Sequence, residues 1–359
     1  MRPPSRHGRR IFAGAALAAA AFCCACHRAG AATGLGIVRE SRIDRIVRYV
    51  MRDHSIPGLA LGIARDGRPL YLRGFGSAHP GRPARVTPRT IFAIGSLTKS
   101  FTAALALRLI DEGKLRLTTA LPGARKATLG EALAMAAGLP DYSELPNFSA
   151  QRREPIAASQ LYAAALSAPL AFSPGTGAGY SNTDYLAIAL AIERATRASF
   201  GALIQRDLLR RYRLHSTAVA WPAFAAAATH ASSTMLGGSP TLGFATADLE
   251  SNLPDLLRWY GLLFDGRVVP GRLLARTLPP TQVSAQFTSR YGDGFTATRF
   301  FGRSALLVRG FVAGFSSVEV YVRRERLDVV ILTNADRVDL APLASSVIAR
   351  TLDIRDPLY

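Results

Sequence analysis

Lysine is nearly missing from this 359-residue chain. Lys99, Lys114 and Lys126 are the three among 44 basic side chains, and arginine supplies the rest. Cysteine is as scarce: Cys23, Cys24 and Cys26 all fall within the first 31 residues. If that segment is removed on export, no disulfide, thiol nucleophile or cysteine-ligated metal is left. Of six histidines, His7 and His27 lie in the same segment, and His54, His79, His215 and His230 are isolated. No His-Glu-x-x-His pattern is present, so no metal site is expected. No Gly-x-Ser-x-Gly elbow surrounds a serine, which sets aside that route to a Ser-His-Asp triad. Neither a phosphate loop nor a dinucleotide fingerprint appears, so no cofactor is expected. After the first 31 residues no charge-free run of 18 apolar residues occurs, so no transmembrane helix is expected.

What is present is an ordinary apolar fraction, 49%. That suffices for one large domain or two medium ones. Acidic residues number 25, leaving a net charge of +19. Five of those charges, Arg2, Arg6, Arg9, Arg10 and Arg28, precede residue 32, which leaves +14 on the remainder. A basic surface attracts nucleic acid, anionic lipid or anionic cell-wall polymer. The arginines are scattered rather than gathered in a stripe, so no nucleic-acid partner is expected, and an arginine-rich base composition explains them as well.

Residues 1–31 read as an export signal. "MRPPSRHGRR" is a basic lead, "IFAGAALAAAAF" an apolar run too short to span a bilayer, and Ala29-Gly30-Ala31 a small-x-small cleavage site. Arg9-Arg10 before Ile11-Phe12 is compatible with a twin-arginine route. The cysteines leave a lipid-anchored form open, although the usual Leu-Ala-Gly-like lead-in is absent. The expected location is periplasmic or secreted, with residues 32–359 as the working domain.

Within that domain, "GIVRESRIDRIVRYVMRDHSIPG" carries apolar residues at helical spacing. "GLALGIARDGRPLYLRGFG" reads as a hairpin about Asp66-Gly67. "SLTKSFTAALALRLIDEG" reads as a long amphipathic helix stopped by Gly113. From about 118 to 300 the pattern is mostly helical. Strands return in "SALLVRG", "FSSVEVYVRRE" and "LDVVILTN", and a last helix covers about 338–353. The expected fold is α+β: an antiparallel sheet built from the N- and C-terminal segments, flanked by helices, with a helical region inserted.

Ser96 and Lys99 stand three apart at a helix start, which puts hydroxyl and amine on one face. A serine hydroxyl is a poor nucleophile until a base takes its proton. A buried lysine at the positive end of a helix can be that base. Arginine cannot, because it does not deprotonate. By itself the spacing fits a surface lysine behind a capping serine equally well. The wider pattern decides: hairpin, "VTPRTIFAIGSLTKSFTA", helix, "LIDEGKLRL", and later "GYSNTDYLAIALAIE". It resembles the serine β-lactamases and penicillin-binding-protein-like hydrolases. It is most similar to the branch of class C β-lactamases, family VIII esterases and D-amino-acid peptidases. The likeness runs through most of the chain after residue 31 and is strongest at 58–121 and 173–200.

That resemblance implies a β-lactamase/transpeptidase-like fold and an acyl-enzyme at Ser96, with Lys99 as base and Tyr180 as proton relay. A nearby ammonium would hold the phenol partly as phenolate. Asn182 would hold Lys99 or a substrate amide. The oxyanion hole would be the N–H groups of Ser96 and Phe311, following Gly310. Two departures stand out. Counting back from "GFSS", the third motif's cation falls on Val308, and Arg309 is the candidate to hold a substrate carboxylate if its side chain shares the nucleophile's face. Met135-Ala136-Ala137 stands where polar side chains usually brace the site wall. The candidate substrates are esters, β-lactams and D-amino-acid peptides of the cell wall, with small esters or peptide-like amides favoured over β-lactams because the usual third-motif cation is missing. The alternative is a catalytically weak binder or sensor.

Overall fold

The computed structural model describes residues 34–79, 84–124, 126–146, 156–219, 243–277 and 290–355. The proposed export signal, its cleavage site, the cysteines and His230 lie outside the described residues. Helix α1 (Ile37–Asp53) turns Ile43, Ile46, Val47 and Val50 inward and its arginines outward. Strands β1 (Gly58–Arg65) and β2 (Arg68–Gly76) reverse at Asp66-Gly67. Both turn residues have positive φ, 52° and 67°, as the tight turns that match strand twist require.

β1 is buried along nearly its whole length because it has a partner on each side. β2 pairs on one edge and the C-terminal strand β10 (Leu327–Thr333) on the other, both antiparallel. The sheet continues through β9 (Phe315–Val322), β8 (Arg303–Val312), β7 (Phe295–Phe300) and β6 (Arg290–Gly292), in the order β2-β1-β10-β9-β8-β7-β6. A sheet built from the two ends of the chain is what the sequence suggests. The helical stretch ends earlier than 300, because β6 and β7 form a hairpin about Asp293-Gly294.

Alternation along the strands divides the core. One face packs beneath α1 and the last helix, which runs from Ala341 to Leu352, with Val318, Val320, Val322, Val329 and Ile331 facing it. The other face carries Leu306, Val308, Val330 and Leu332 against the inserted helices. Among these is α2 (Thr98–Asp111), of whose 14 residues 11 are buried. It is therefore a central helix, buried nearly all round, rather than the amphipathic one its sequence suggests. The helices that follow are α3 (Leu129–Leu133), α4 (Ala158–Ser167), α5 (Asn182–Thr196), α6 (Phe200–Leu203), α7 (Leu253–Phe264) and α8 (Gly271–Thr277). A small sheet of β3 (Phe92–Ala93), β4 (Ala218–Val219) and β5 (Leu249–Ser251) pins the entry to α2. No helix among the described residues is long and apolar enough to cross a membrane.

Candidate active site

The chain leaves β3 through Gly95, whose φ of 53° turns it into a 3₁₀ segment (Gly95–Leu97) that runs straight into α2. Ser96 thus sits at the mouth of α2, half-buried, and Lys99 one turn further in, fully buried. The Lys99 Nζ lies 3.0 Å from Ser96 Oγ, 2.8 Å from Asn182 Oδ1 and 3.0 Å from the Thr246 carbonyl oxygen. The Tyr180 hydroxyl lies 2.8 Å from Ser96 Oγ. The structure therefore brings Ser96, Lys99, Tyr180 and Asn182 together from two separate segments.

The hydrogen-bond count around Nζ indicates what the amine can do. Two of its three partners, Asn182 Oδ1 and the Thr246 carbonyl, are pure acceptors toward it. A neutral amine has two N–H groups for them and one lone pair. With both N–H groups so engaged, a neutral amine would have its lone pair left for its third neighbour, Ser96 Oγ. Burial supports this state: loss of hydration lowers the Lys99 pKa to about 7, against the opposing pull of Asp141 and Asp248.

The Asn182 amide is oriented by its own partner. Its Nδ2 donates to both oxygens of Asp141, at 3.2 and 3.0 Å, which leaves Oδ1 for Lys99. Asp141 also accepts from the Ser143 N–H at 2.9 Å, capping a 3₁₀ turn (Tyr142–Glu144). Sequence reasoning missed Asp141; the signal was "LPDY", an Asp in helix-capping position. The Thr246 carbonyl is aimed by a turn tied to α2. Thr102 Oγ1 donates to the Ala245 carbonyl at 2.6 Å, and Thr98 Oγ1 accepts from the Leu249 N–H at 3.2 Å.

Tyr180 precedes α5, with its ring edge-on to Tyr291 at 6.3 Å between centroids. Its proton affinity runs against the phenolate expected from sequence. Burial raises its pKa, and the Ser96 hydrogen bond only partly offsets this. The resting phenol is neutral, a donor rather than a base. Behind it, the wall expected to lack bracing is braced by backbone. Gly175 N–H donates to the Ala136 carbonyl and Gly179 N–H to the Met135 carbonyl, both at 2.9 Å, while the Ser181 N–H reaches Met135 Sδ at 3.3 Å.

On the opposite wall, β8 runs along the nucleophile turn. A Cβ on Gly310 would lie 2.3 Å from the Ile94 oxygen and 3.1 Å from Ser96 N; one on Gly95 would lie 2.8 Å from Phe311 N. The backbones of Ser96 and Phe311 are thus in direct apposition, where an oxyanion hole would need them. The Phe311 side chain itself is 42% exposed.

Arg309 is the correction. Val308 shares the face of Gly310 and is buried, whereas Arg309 points to the other side, ion-paired with Asp339 at 3.1 Å near the start of the last helix. Strand alternation places it away from Ser96, so it is not positioned to hold a substrate at this site. His54 and His215 are exposed, and among the described residues no histidine figures in the contacts of Ser96, Lys99 or Tyr180. No group of metal-binding side chains occurs among the described residues.

A base with this proton affinity makes a prediction about pH. Below about 7 the amine is protonated and holds no lone pair for Ser96; above it the amine is free. For an ester substrate, kcat/KM is expected to rise through about pH 7 and level off above it. A flat profile from acid to alkali would mean that Lys99 is not the base.

Known proteins share this arrangement of chain. A D-aminopeptidase of Gluconobacter oxydans (strain 621H) is 27% identical over 323 residues, which cover 82% of this chain and 59% of that protein. The chain thus spans well under two thirds of that relative's length. Protein flp of Staphylococcus aureus (strain MW2) is 25% identical over 50% of this chain and 38% of its own. Among solved structures, the octameric penicillin-binding protein homologue from Pyrococcus abyssi superposes with a TM-score of 0.79 at 20% identity, covering 88% of this chain and 78% of that one. The D-amino acid amidase from Ochrobactrum anthropi SV3, complexed with L-phenylalanine, superposes with a TM-score of 0.76 at 20% identity, covering 88% and 98%. These likenesses establish the fold. The family model described as Beta-lactamase matches residues 43–351, nearly the whole described fold, and the chain belongs to that family.

Proposed function

We propose that this chain is an exported serine hydrolase that opens amides or esters of D-amino acids through an acyl-enzyme on Ser96. The observation that carries this reading is the contact of a buried, neutral-leaning amine with a serine hydroxyl that also meets a neutral phenol. In the first step Ser96 Oγ bonds to the carbonyl carbon and its proton passes to Lys99 Nζ. The carbonyl electron pair moves onto oxygen, toward the N–H groups of Ser96 and Phe311. As the pair returns, the carbon–nitrogen or carbon–oxygen bond breaks and Tyr180 gives its proton to the leaving atom. The Lys99 ammonium then balances the phenolate. A water attacks the acyl carbon, its proton restores Tyr180, and Ser96 recovers its own from Lys99.

Val308 favours uncharged groups on the leaving side. Among the described residues, the β8 face toward Ser96 offers an aliphatic side chain where a substrate carboxylate would need a cation. This supports amides and esters over free-carboxylate peptides. The relatives that are a D-aminopeptidase and a D-amino acid amidase point to the acyl configuration. The test is hydrolysis of D- and L-alanine p-nitroanilide and p-nitrophenyl acetate, with labelling by a fluorophosphonate and a chase. Ser96→Ala is expected to lose both turnover and label. Undiminished ester hydrolysis by that variant would refute the mechanism. A label on wild type that persists through the chase, without turnover, would mark a trap or sensor instead.

A further inference from the structure

The reaction above uses one acid–base pair, Lys99 and Tyr180, yet a second buried acid adjoins it. Asp248 is 4% exposed. Its Oδ2 accepts from the Ala245 N–H at 3.2 Å. Its Oδ1 has no hydrogen-bond partner among the described residues. A buried carboxylate oxygen left without a donor is costly unless a nearby charge repays it. Burial raises the Asp248 pKa to about 7, an effect that the Ala245 N–H and then Lys99 only partly offset, while Asp248 in turn raises the proton affinity of Lys99.

The same residue holds the base in place. Asp248 closes the turn that begins at Gly243. Within it the Thr246 and Ala247 N–H groups donate to the Gly243 carbonyl, at 2.8 and 2.7 Å. Ala245 is forced to a φ of 60°, a conformation that costs a non-glycine residue energy. The Asp248 hydrogen bond to the Ala245 N–H secures that kink, and the kink aims the Thr246 carbonyl at Nζ.

We propose that Asp248 is a positioning residue for the general base: its carboxylate is the counter-charge for the ammonium that Lys99 becomes on taking the Ser96 proton, and its side-chain hydrogen bond fixes the turn that orients the amine. The proposal rests on the acyl-enzyme reading. No proton moves to Asp248 in the step: the Ser96 O–H bond breaks, the Lys99 N–H bond forms, and Asp248, which burial keeps ionised only above about pH 7, faces the new cation. The charged and titratable groups around Nζ are few. Tyr180 and Tyr185 face it with their rings, 5.0 and 5.8 Å from Nζ to the centroids. Asp141 acts from behind Asn182, Asp248 from the turn before β5, and Asp293 faces Tyr185 from the β6–β7 turn. Around Asp248 the partners are Lys99 and the Tyr142 phenol.

The experiment measures the second-order rate constant of fluorophosphonate labelling at Ser96 against pH, in wild type and in Asp248→Asn. Without the anion the ammonium is less stable. The amine then loses its proton at lower pH, but is a weaker base. The acid limb is expected to move down by about one pH unit. The plateau rate is expected to fall about tenfold. Asp248→Glu, which restores the charge, is expected to return the limb toward its wild-type position. A residue that merely shapes the turn would leave the profile unmoved, and superimposable profiles overturn the proposal. Should the Asn variant not fold, Asp248→Ser carries the same expectation. Failure of wild type to label at Ser96 would instead remove the underlying acyl-enzyme reading, and this proposal with it.

Discussion

Lys99→Arg is expected to lower kcat by about 10⁴-fold or more, comparable to removing a member of a serine hydrolase's catalytic set. Among the described residues the amine is the sole group in contact with Ser96 Oγ that can act as a base at neutral pH, since the Tyr180 phenol holds its proton. A guanidinium carries its charge throughout the accessible pH range and has no lone pair to offer. It is also larger, and the cavity around Nζ is bounded by Ser96, Asn182, the Thr246 carbonyl and two tyrosine rings. The variant should therefore lose some stability too, so kcat is measured alongside a thermal melt. The other two lysines supply the controls. Lys114 is 55% exposed and pairs with Glu112 at 2.8 Å, and Lys126 lies on the surface. Both Lys114→Arg and Lys126→Arg are expected to keep wild-type kcat. Retention of turnover in Lys99→Arg would mean that another group removes the Ser96 proton.

That contrast explains how much of the site could be read from the sequence. The gathering of Ser96, Lys99, Tyr180 and Asn182 was legible because residue type and motif spacing carry it: a helical turn brings i and i+3 together, and a lysine kept among arginines marks a group that can lose a proton. The β1–β2 hairpin was legible for the same reason, since Asp66-Gly67 meets a local backbone demand. What depends on burial or on a second segment was not. The pattern sets Tyr180 beside an ammonium, but Lys99 leans neutral and the half-buried phenol loses hydration in the fold, so desolvation outweighs the charge. Asp141 lies 41 residues from Asn182 and Asp248 lies 149 from Lys99; only the fold joins them. The β6–β7 hairpin was a missed local signal: "RYGDGFTATRF" has an Asp-Gly turn between β-rich runs, like the first hairpin. It was masked by the helical pattern before it. The face of Arg309 was the reverse case. Period-two alternation already put Arg309 opposite Val308 and Gly310, and the strand obeys it.

The same alternation gives the other large prediction, made on neighbouring residues of one strand. Gly310→Ala is expected to lower kcat by roughly 10²- to 10³-fold, the usual cost of losing an oxyanion-hole donor. The reason is space rather than backbone freedom. The added carbon would fall 2.3 Å from both the Ile94 oxygen and Ser317 Oγ, atoms joined by a 2.7 Å hydrogen bond. Neither can yield without breaking that bond or shifting the nucleophile turn. The strand must move instead, taking the Phe311 N–H away from Ser96. KM should change less than kcat, because the hole acts on the charge that develops during attack. Arg309→Ala removes a far larger side chain one residue earlier, yet only a surface ion pair with Asp339 is lost. Such pairs contribute about 0–1 kcal/mol, and kcat is expected to stay within a factor of two. Steady-state kinetics on the two variants measure the facing of β8 directly. A loss at Arg309→Ala as large as at Gly310→Ala would mean that the arginine reaches the substrate after all, and that the aliphatic face at Val308 is not what selects uncharged leaving groups.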